Sequence, residues 1–378
     1  MTVLWWKVVA GVAGALLVDA ALAWALRRRR NIVGKHVLIT GGSSGIGLAL
    51  AKQFLHEGAA VVSIVARREG QLREAAAELD DIIAGGGPSC AGAAVLTHAA
   101  DVTSSEAASA AAAALAERAG RPVDVLVACA GSATPGFFHE QDVDVFERTM
   151  KLNFLGTVNA IKAVAGGMLE RRSGTVVVVS SAMGLMGFTG YSSYAPSKWA
   201  VRGLADCLRN EWQRTGVDIC VAYPVDTDTP GFAEENKTKP PECHVISSQG
   251  SFYSAEATAR CIVRGIIAGK YHLPTPDLGV TLLGHLQAGI SARALGPLSD
   301  AILAAIGAPV LRVIAFLMDL VVRHFQTRRA REQREDGGSG AASEGGGGEQ
   351  AHEGARPAKA SQASLRSRKT GRSSDLIK

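Results

Sequence analysis

Between His36 and about Ile267 the chain alternates short aliphatic, β-branched runs with longer helical stretches. The runs are HVLIT (36–40), AVVSIVA (60–66), AAVLTHA (93–99), VDVLVACA (123–130), TVVVVSS (175–181) and VDICVAY (217–223). Most are apolar nearly throughout rather than alternating, the pattern of strands covered on both faces. With helices between them, the pattern predicts an α/β fold built on a doubly wound parallel sheet of the Rossmann type. The alanine run from Ala107 to Ala116 falls where a crossover helix is needed, and alanine is the strongest helix former, so a surface helix is predicted there.

Both ends depart from this pattern. Val8 to Leu26 form 19 residues with Asp19 as the only charge, and Arg27 to Arg30 follow at once. Roughly 20 apolar residues suffice to span a bilayer. Only Lys7 separates this run from the first residues and four arginines follow it, the reverse of a cleaved signal peptide; a retained anchor is predicted, with the arginines and the remainder on the cytosolic side. Asp19 at mid-membrane would cost about 3 kcal/mol, so a partly inserted, monotopic helix is the alternative. Leu278 to Val322 are strongly apolar but broken by Arg293, Asp300, Arg312 and Asp319. That predicts interfacial or re-entrant amphipathic segments, or else a helical extension packed on the catalytic domain or a second subunit. From Arg328 the chain is glycine, serine, alanine and charge, the composition of a disordered tail. The expected organisation is an anchor over 1–30, a catalytic domain over 31–275, a hydrophobic helical region over 276–326 and a tail over 327–378.

Composition narrows the function classes. With 47% hydrophobic residues in a chain of 378, one large core and appendages can be built. The net charge of +5 is small, and the basic residues cluster rather than lining one face, which argues against a nucleic-acid partner. The six cysteines show no CxxC spacing and read as reduced packing residues; the histidines are scattered, and no metal site is expected.

The first strand runs into TGGSSGIG (Thr40 to Gly47) and then into a helical stretch. Glycines at 41, 45 and 47 let the backbone turn tightly and approach a pyrophosphate, and the helix N-terminus offers N–H groups and the positive end of its dipole. At the end of the second strand, where an acid would hold ribose hydroxyls, stand Arg67 and Arg68; a guanidinium suits a 2′-phosphate, so NADPH is expected over NADH. Asp101 and Val102 follow the third strand and can hold the adenine edge, although Asp101 also reads as a helix N-cap. Tyr194 and Lys198 are four apart, so on a helix they share a face and the ammonium can lower a phenol pKa of about 10. Ser181 ends a buried strand at the ligand crevice, where its hydroxyl can orient a substrate oxygen. Tyr191 has Ala195 four residues on and so no cation on its own face.

Through TGGSSGIG, the Asn of KLNFLG, the Ser of VVSS and YAPSK, residues 34 to 270 resemble the short-chain dehydrogenase/reductase family. The resemblance implies that Tyr194 protonates a carbonyl as hydride arrives, Lys198 holds the nicotinamide ribose and lowers the Tyr194 pKa, Ser181 orients the carbonyl and Asn153 supports a water relay. It implies cofactor contacts at Gly41, Ser43, Ser44, Gly45, Ile46, Gly47, Arg67, Asp101, Val102, Tyr194 and Lys198, with Pro224 and Thr229 near the nicotinamide amide. Ala128 to Gly131 (ACAG) depart from the family's Asn-rich turn, and a looser turn is expected there. The segment AYPVDTDTPGFAEENKTKPPE (222–242) and the loop GGSSG are similar to those of the 3-ketodihydrosphingosine reductases within the family. That similarity implies NADPH-dependent reduction of a long-chain amino ketone, 3-ketosphinganine, at the cytosolic face of the endoplasmic reticulum membrane, by an enzyme that can pair into a homo-oligomer through the helices carrying Asn153 and Tyr194. Steroids, retinoids and fatty acyl ketones are the alternative substrates, and a nucleotide-binding scaffold without chemistry is the alternative class.

Overall fold

The computed structural model describes residues 29–86, 90–248, 252–287 and 321–329, with scattered positions in 11–22, 302–320 and at 331. The predicted anchor over 1–30 and the tail over 327–378 lie almost wholly outside the described residues. In chain order the central elements are β1 (His36–Thr40), α1 (Gly45–His56), β2 (Val61–Ala66), α2 (Glu69–Gly85), β3 (Ala94–Ala99), α3 (Ser105–Arg118) and β4 (Val125–Ala128). Next come α4 (Val143–Met150), a single wide π-helical stretch (Lys151–Leu155), α5 (Gly156–Glu170), β5 (Gly174–Val179), α6 (Ala195–Glu211) and β6 (Val217–Ala222). The last part holds β7 (Thr227–Asp228), α7 (Pro230–Glu235), α8 (Pro241–Ser248), β8 (Tyr253–Ser254), α9 (Ala255–Ile267), β9 (His272–Leu273) and α10 (Leu278–Leu286).

Seven parallel strands form one sheet in the order β3-β2-β1-β4-β5-β6-β9. Val37 stands between Val62 on β2 and Val125 on β4, so the strand order reverses between β1 and β4 and opens a crevice beyond their carboxyl ends. All six predicted strands are present. The seventh, β9, has only two residues and no legible pattern; it is laid against β6 by the return of the chain from α9.

The core has two layers. On one face Phe54, Leu50 and Leu79 pack with Ile262 and Ile266 of α9; on the other Leu115, Met168 and Val201 pack against the sheet. Fully buried side chains of this size contribute about 1.5–3 kcal/mol each. The alanine-rich helix is half inside rather than on the surface: Ala108, Ala111, Ala112 and Leu115 of α3 are buried and the helix packs on α5, because small side chains let two helix backbones approach closely. Ser104, not Asp101, caps it, its hydroxyl accepting from Ala107 N–H at 3.1 Å.

Two features at the ends of the described fold bear on membrane association. Arg30, expected with the membrane-flanking arginines, is taken up by the domain: Nε pairs with Asp218 at 3.0 Å and Nη1 donates to the carbonyl of Ile266 at 3.1 Å, at the C-terminal end of α9. Helix α10, capped by Asp277 accepting from Val280 N–H at 2.8 Å, buries Leu283 in the second core layer, so the start of the 276–326 region packs on the catalytic domain. Among the described residues one helical run, Val143–Glu170, is long and apolar enough to cross a membrane; its Ala160, Ile161, Val164 and Met168 belong to the core.

Candidate active site

The crevice beyond β1 and β4 has a volume of about 1390 Å³. This exceeds the ~300–1,000 Å³ usual for one small ligand, leaving room for a dinucleotide and a second molecule. Its floor is the glycine turn. Gly41 has φ +70°, and a β-carbon there would stand 2.8 Å from Ala130 Cα; one at Gly47 would stand 2.1 Å from the Gly41 carbonyl oxygen. Neither position tolerates a side chain, so the backbone of β1 meets α1 at the closest approach the chain allows. No side chain caps α1 and its first turn carries no acid, which leaves its positive end to a phosphate. Ser43, Ser44, Gly45, Ile46 and Gly47 all line the crevice.

At the end of β2, Arg67 and Arg68 are exposed and line the same crevice with Gln71. No carboxylate occupies the position that would bind ribose hydroxyls. Asp101 lies close enough to feel the Arg67 charge, and its pKa is held below the ordinary range by the backbone N–H of Thr103, from which it accepts at 2.9 Å. Asp101 and Val102 line the crevice beside Ala100. Thr229 caps α7, its hydroxyl accepting from Phe232 N–H at 3.0 Å, and a β-carbon at Gly45 would come within 3.0 Å of its methyl group. Thr229 thus closes over the glycine turn from the far side of the crevice.

Ser181, Tyr194 and Lys198 converge. Ser181 follows β5 and caps a short 3-10 turn, its hydroxyl accepting from Met183 N–H at 3.2 Å, and it lines the crevice with Tyr194. Tyr194 precedes α6 with helical backbone angles, and the Lys198 ammonium lies 5.7 Å from the centre of its ring. Lys198 is buried and donates to the carbonyl of Val179 at 3.0 Å. Burial pushes the Lys198 ammonium down to about 8. In the protein alone the phenol is not lowered as expected: burial, followed by the Glu235 carboxylate, holds its pKa above the ordinary value. Asn153 lies in the π-helical stretch, fully buried. Its Oδ1 accepts from Ser132 N–H at 3.0 Å, while Nδ2 donates to Ser132 O and Ser197 Oγ, both at 3.0 Å.

The turn at Ala128 to Gly131 is not loose. The Thr40 hydroxyl accepts from the N–H groups of Cys129 at 3.2 Å and Ala130 at 3.3 Å, and Asn153 fixes the next residue, so the missing asparagine side chain is replaced from two other elements. Sequence reasoning set Tyr191 aside and missed Asp226 and Glu235; all three line the crevice. Among the described residues no cluster of three His, Cys, Asp or Glu side chains could hold a metal ion.

The profile of the family described as short chain dehydrogenase matches residues 35–240. The chain belongs to that family. Its members are oxidoreductases that use a nicotinamide dinucleotide, which the glycine cradle and the crevice volume fit. A 3-ketodihydrosphingosine reductase of Dictyostelium discoideum is 37% identical over 69% of this chain and 80% of its own length. A 3-dehydrosphinganine reductase of Danio rerio is 39% identical over 63% of this chain and 70% of its own length. Among solved structures, levodione reductase superposes with a TM-score of 0.58 at 25% identity, covering 66% of this chain and 98% of that one. An alcohol dehydrogenase of the archaeon Thermococcus sibiricus, complexed with 5-hydroxy-NADP, gives a TM-score of 0.51 at 26% identity over 61% of this chain and 90% of that one.

Proposed function

We propose that the protein reduces 3-ketosphinganine to sphinganine with NADPH. The observation that carries the chemistry is the convergence of Ser181, Tyr194 and Lys198 in one crevice with the glycine turn. The substrate follows from the two curated relatives, both named as reductases of this ketone. NADPH is supported by Arg67 and Arg68 standing where an acid would select NADH.

The bound cofactor supplies a hydride to the carbonyl carbon. Ser181 donates a hydrogen bond to the carbonyl oxygen and orients it. Tyr194 O–H gives that oxygen its proton, so the C=O becomes CH–OH and the phenol becomes phenolate. A phenol whose pKa is held high by burial carries its proton throughout the neutral range, as a donor must. The phenolate formed is beside the Lys198 ammonium, which stabilises it and, with a pKa lowered to about 8, can return a proton. Asn153 fixes the Ser132 backbone and the Ser197 hydroxyl behind this pair.

The same proposal places the catalytic domain at the cytosolic face of the endoplasmic reticulum membrane. It rests on the apolar run from Val8 to Leu26 and on the exposed Leu278, Phe316, Leu317 and Leu320, of which Leu317 and Leu320 line the crevice. The test is an NADPH-oxidation assay of the purified full chain in detergent, with 3-ketosphinganine against steroid, retinoid and fatty acyl ketones. A preference for 3-ketosphinganine is expected, and faster turnover of any of the others would overturn the assignment. Protease protection of a C-terminal tag in sealed microsomes, with the tag digested from outside, checks the topology.

A further inference from the structure

The crevice lining also includes an apolar set, Met183, Met186, Val245, Ile246 and Val280, that suits an alkyl chain. The same crevice holds a partly buried carboxylate, Glu235 at the end of α7. The buried Tyr191 donates to its Oε1 at 2.5 Å, and the rings of Tyr191 and Tyr194 are 6.1 Å apart. Lys239, with no exposed side-chain surface, approaches the same oxygen at 3.6 Å and is itself held 4.3 Å above the Phe232 ring. Both contacts are made to Oε1, and Oε2 accepts no hydrogen bond among the described residues, although a carboxylate offers about four lone-pair sites.

The charge in this corner is out of balance. Asp226 and Glu235 both line the crevice and both bear on Tyr194, whereas among the described residues Lys239 alone forms an ion pair with Glu235, and the Lys198 ammonium donates to the Val179 carbonyl. Desolvation raises the Glu235 pKa, and although the Tyr191 hydroxyl and the Lys239 ammonium pull it down and Asp226 adds a smaller rise, it stays above the ordinary value. A neutral ketone would leave the imbalance as it stands. A ketone with an ammonium on the adjacent carbon would supply the missing charge one bond from the reacting centre.

We infer that Glu235, held in place by Tyr191 and Lys239, is the specificity-determining residue that receives the ammonium group of a 2-amino-3-ketone substrate. The inference deepens the function proposed above and rests on it. A charge-assisted hydrogen bond from N–H to Oε2 fixes the rotation about the bond between the amine carbon and the carbonyl carbon. This presents one face of the ketone to the hydride and directs its oxygen towards Ser181 and Tyr194.

The test compares two substrates on the full chain with NADPH: 3-ketosphinganine and 1-hydroxyoctadecan-3-one, the same chain without the amine. The wild type is expected to favour the amine by roughly 10- to 100-fold in kcat/KM, the scale of one hydrogen bond between charged groups. Glu235→Gln should bring that ratio to within about 3-fold, mainly through KM of the amino ketone, whatever change it makes to the turnover common to both ketones. A ratio unchanged in Glu235→Gln, or a wild type that reduces both ketones equally well, would overturn the inference while leaving the reductase assignment intact. A wild type that reduces neither would instead remove the assignment on which it rests. Should Glu235→Gln not fold, the wild-type protein loaded with NADP decides: sphinganine must raise its melting temperature more than octadecane-1,3-diol, the same alcohol without the amine, and equal stabilisation by the two overturns the inference.

Discussion

The side-chain amide of Asn153 pairs with both backbone groups of Ser132, accepting from its N–H and donating to its carbonyl, each at 3.0 Å. Two parallel bonds of this kind fix both the position and the tilt of the loop that follows β4. A β-carbon added at the neighbouring Gly131 would lie 3.0 Å from Asn153 Oδ1 and 3.3 Å from the Lys198 ammonium, so the loop, the amide and the cation form one packed group.

Asn153→Leu should therefore act on both stability and turnover. It removes three hydrogen bonds, one of them to the Ser197 hydroxyl that also donates to the Tyr194 carbonyl at 2.7 Å. Because the Ser132 peptide can regain water, the expected loss is about 1–2 kcal/mol, and kcat should fall at least about tenfold as the loop moves off Lys198. Thermal unfolding and steady-state kinetics measure the two. An unchanged melting temperature together with unchanged kcat would remove Asn153 from the site.

Much of this arrangement is legible in the sequence, for reasons that differ by residue. The strands ending in Thr40, Val179 and Ala222 are buried almost throughout and so are written as mainly apolar runs rich in β-branched residues. The glycine turn and the Tyr194 to Lys198 spacing are local, and local geometry is what a sequence displays. Tyr191 and Glu235 are 44 residues apart and Arg30 and Asp218 are 188 apart, so neither pairing leaves a mark on its own segment. A local sign was present for Glu235, which stands four residues before Lys239 on the chain and pairs with it. The sign of the phenol shift was the opposite of that expected, because spacing shows which charge is near but not how much water is lost.

Lys198 makes a prediction about stability with a definite sign. Its ordinary pKa of 10.5 falls to about 8 in the folded protein, chiefly through burial. Between these values the unfolded chain holds a proton that the folded chain does not, so stability rises with pH from about 8 towards about 10.5 and the full penalty is present below about 8. Lys198→Met removes that penalty. At pH 7 the variant without cofactor should melt a few degrees above the wild type, should lack the rise in stability at alkaline pH, and should have lost turnover. A lower melting temperature at pH 7 would show that the ammonium stabilises the empty site.

Arg67 should decide the cofactor. Its guanidinium is exposed at the end of β2 and free to pair with a 2′-phosphate in two-pronged fashion. In Arg67→Asp the new carboxylate repels that phosphate and accepts from ribose hydroxyls. The expected outcome is a fall of roughly 10- to 100-fold in kcat/KM for NADPH and a rise for NADH, with kcat at saturation changed little. The measurement is initial rate against each cofactor at fixed low salt. Equal loss with both cofactors would mean that Arg67 supports the fold of this edge rather than reading the phosphate.

Tyr194→Phe isolates the proton. The ring stays, and with it the contact to Lys198 and the packing against Tyr191, while the hydroxyl is lost. Buried phenols that lose one hydrogen bond change stability by only about 1 kcal/mol, so the fold and cofactor binding should persist. General acid catalysis contributes about 10²- to 10⁴-fold, and turnover should fall by that factor. Circular dichroism and fluorescence quenching by NADPH establish that the variant is intact, and the rate is then read at saturating cofactor. Retention of more than a few per cent of wild-type turnover would place the proton donor elsewhere, and Tyr191, already committed to Glu235, would be the next group to replace.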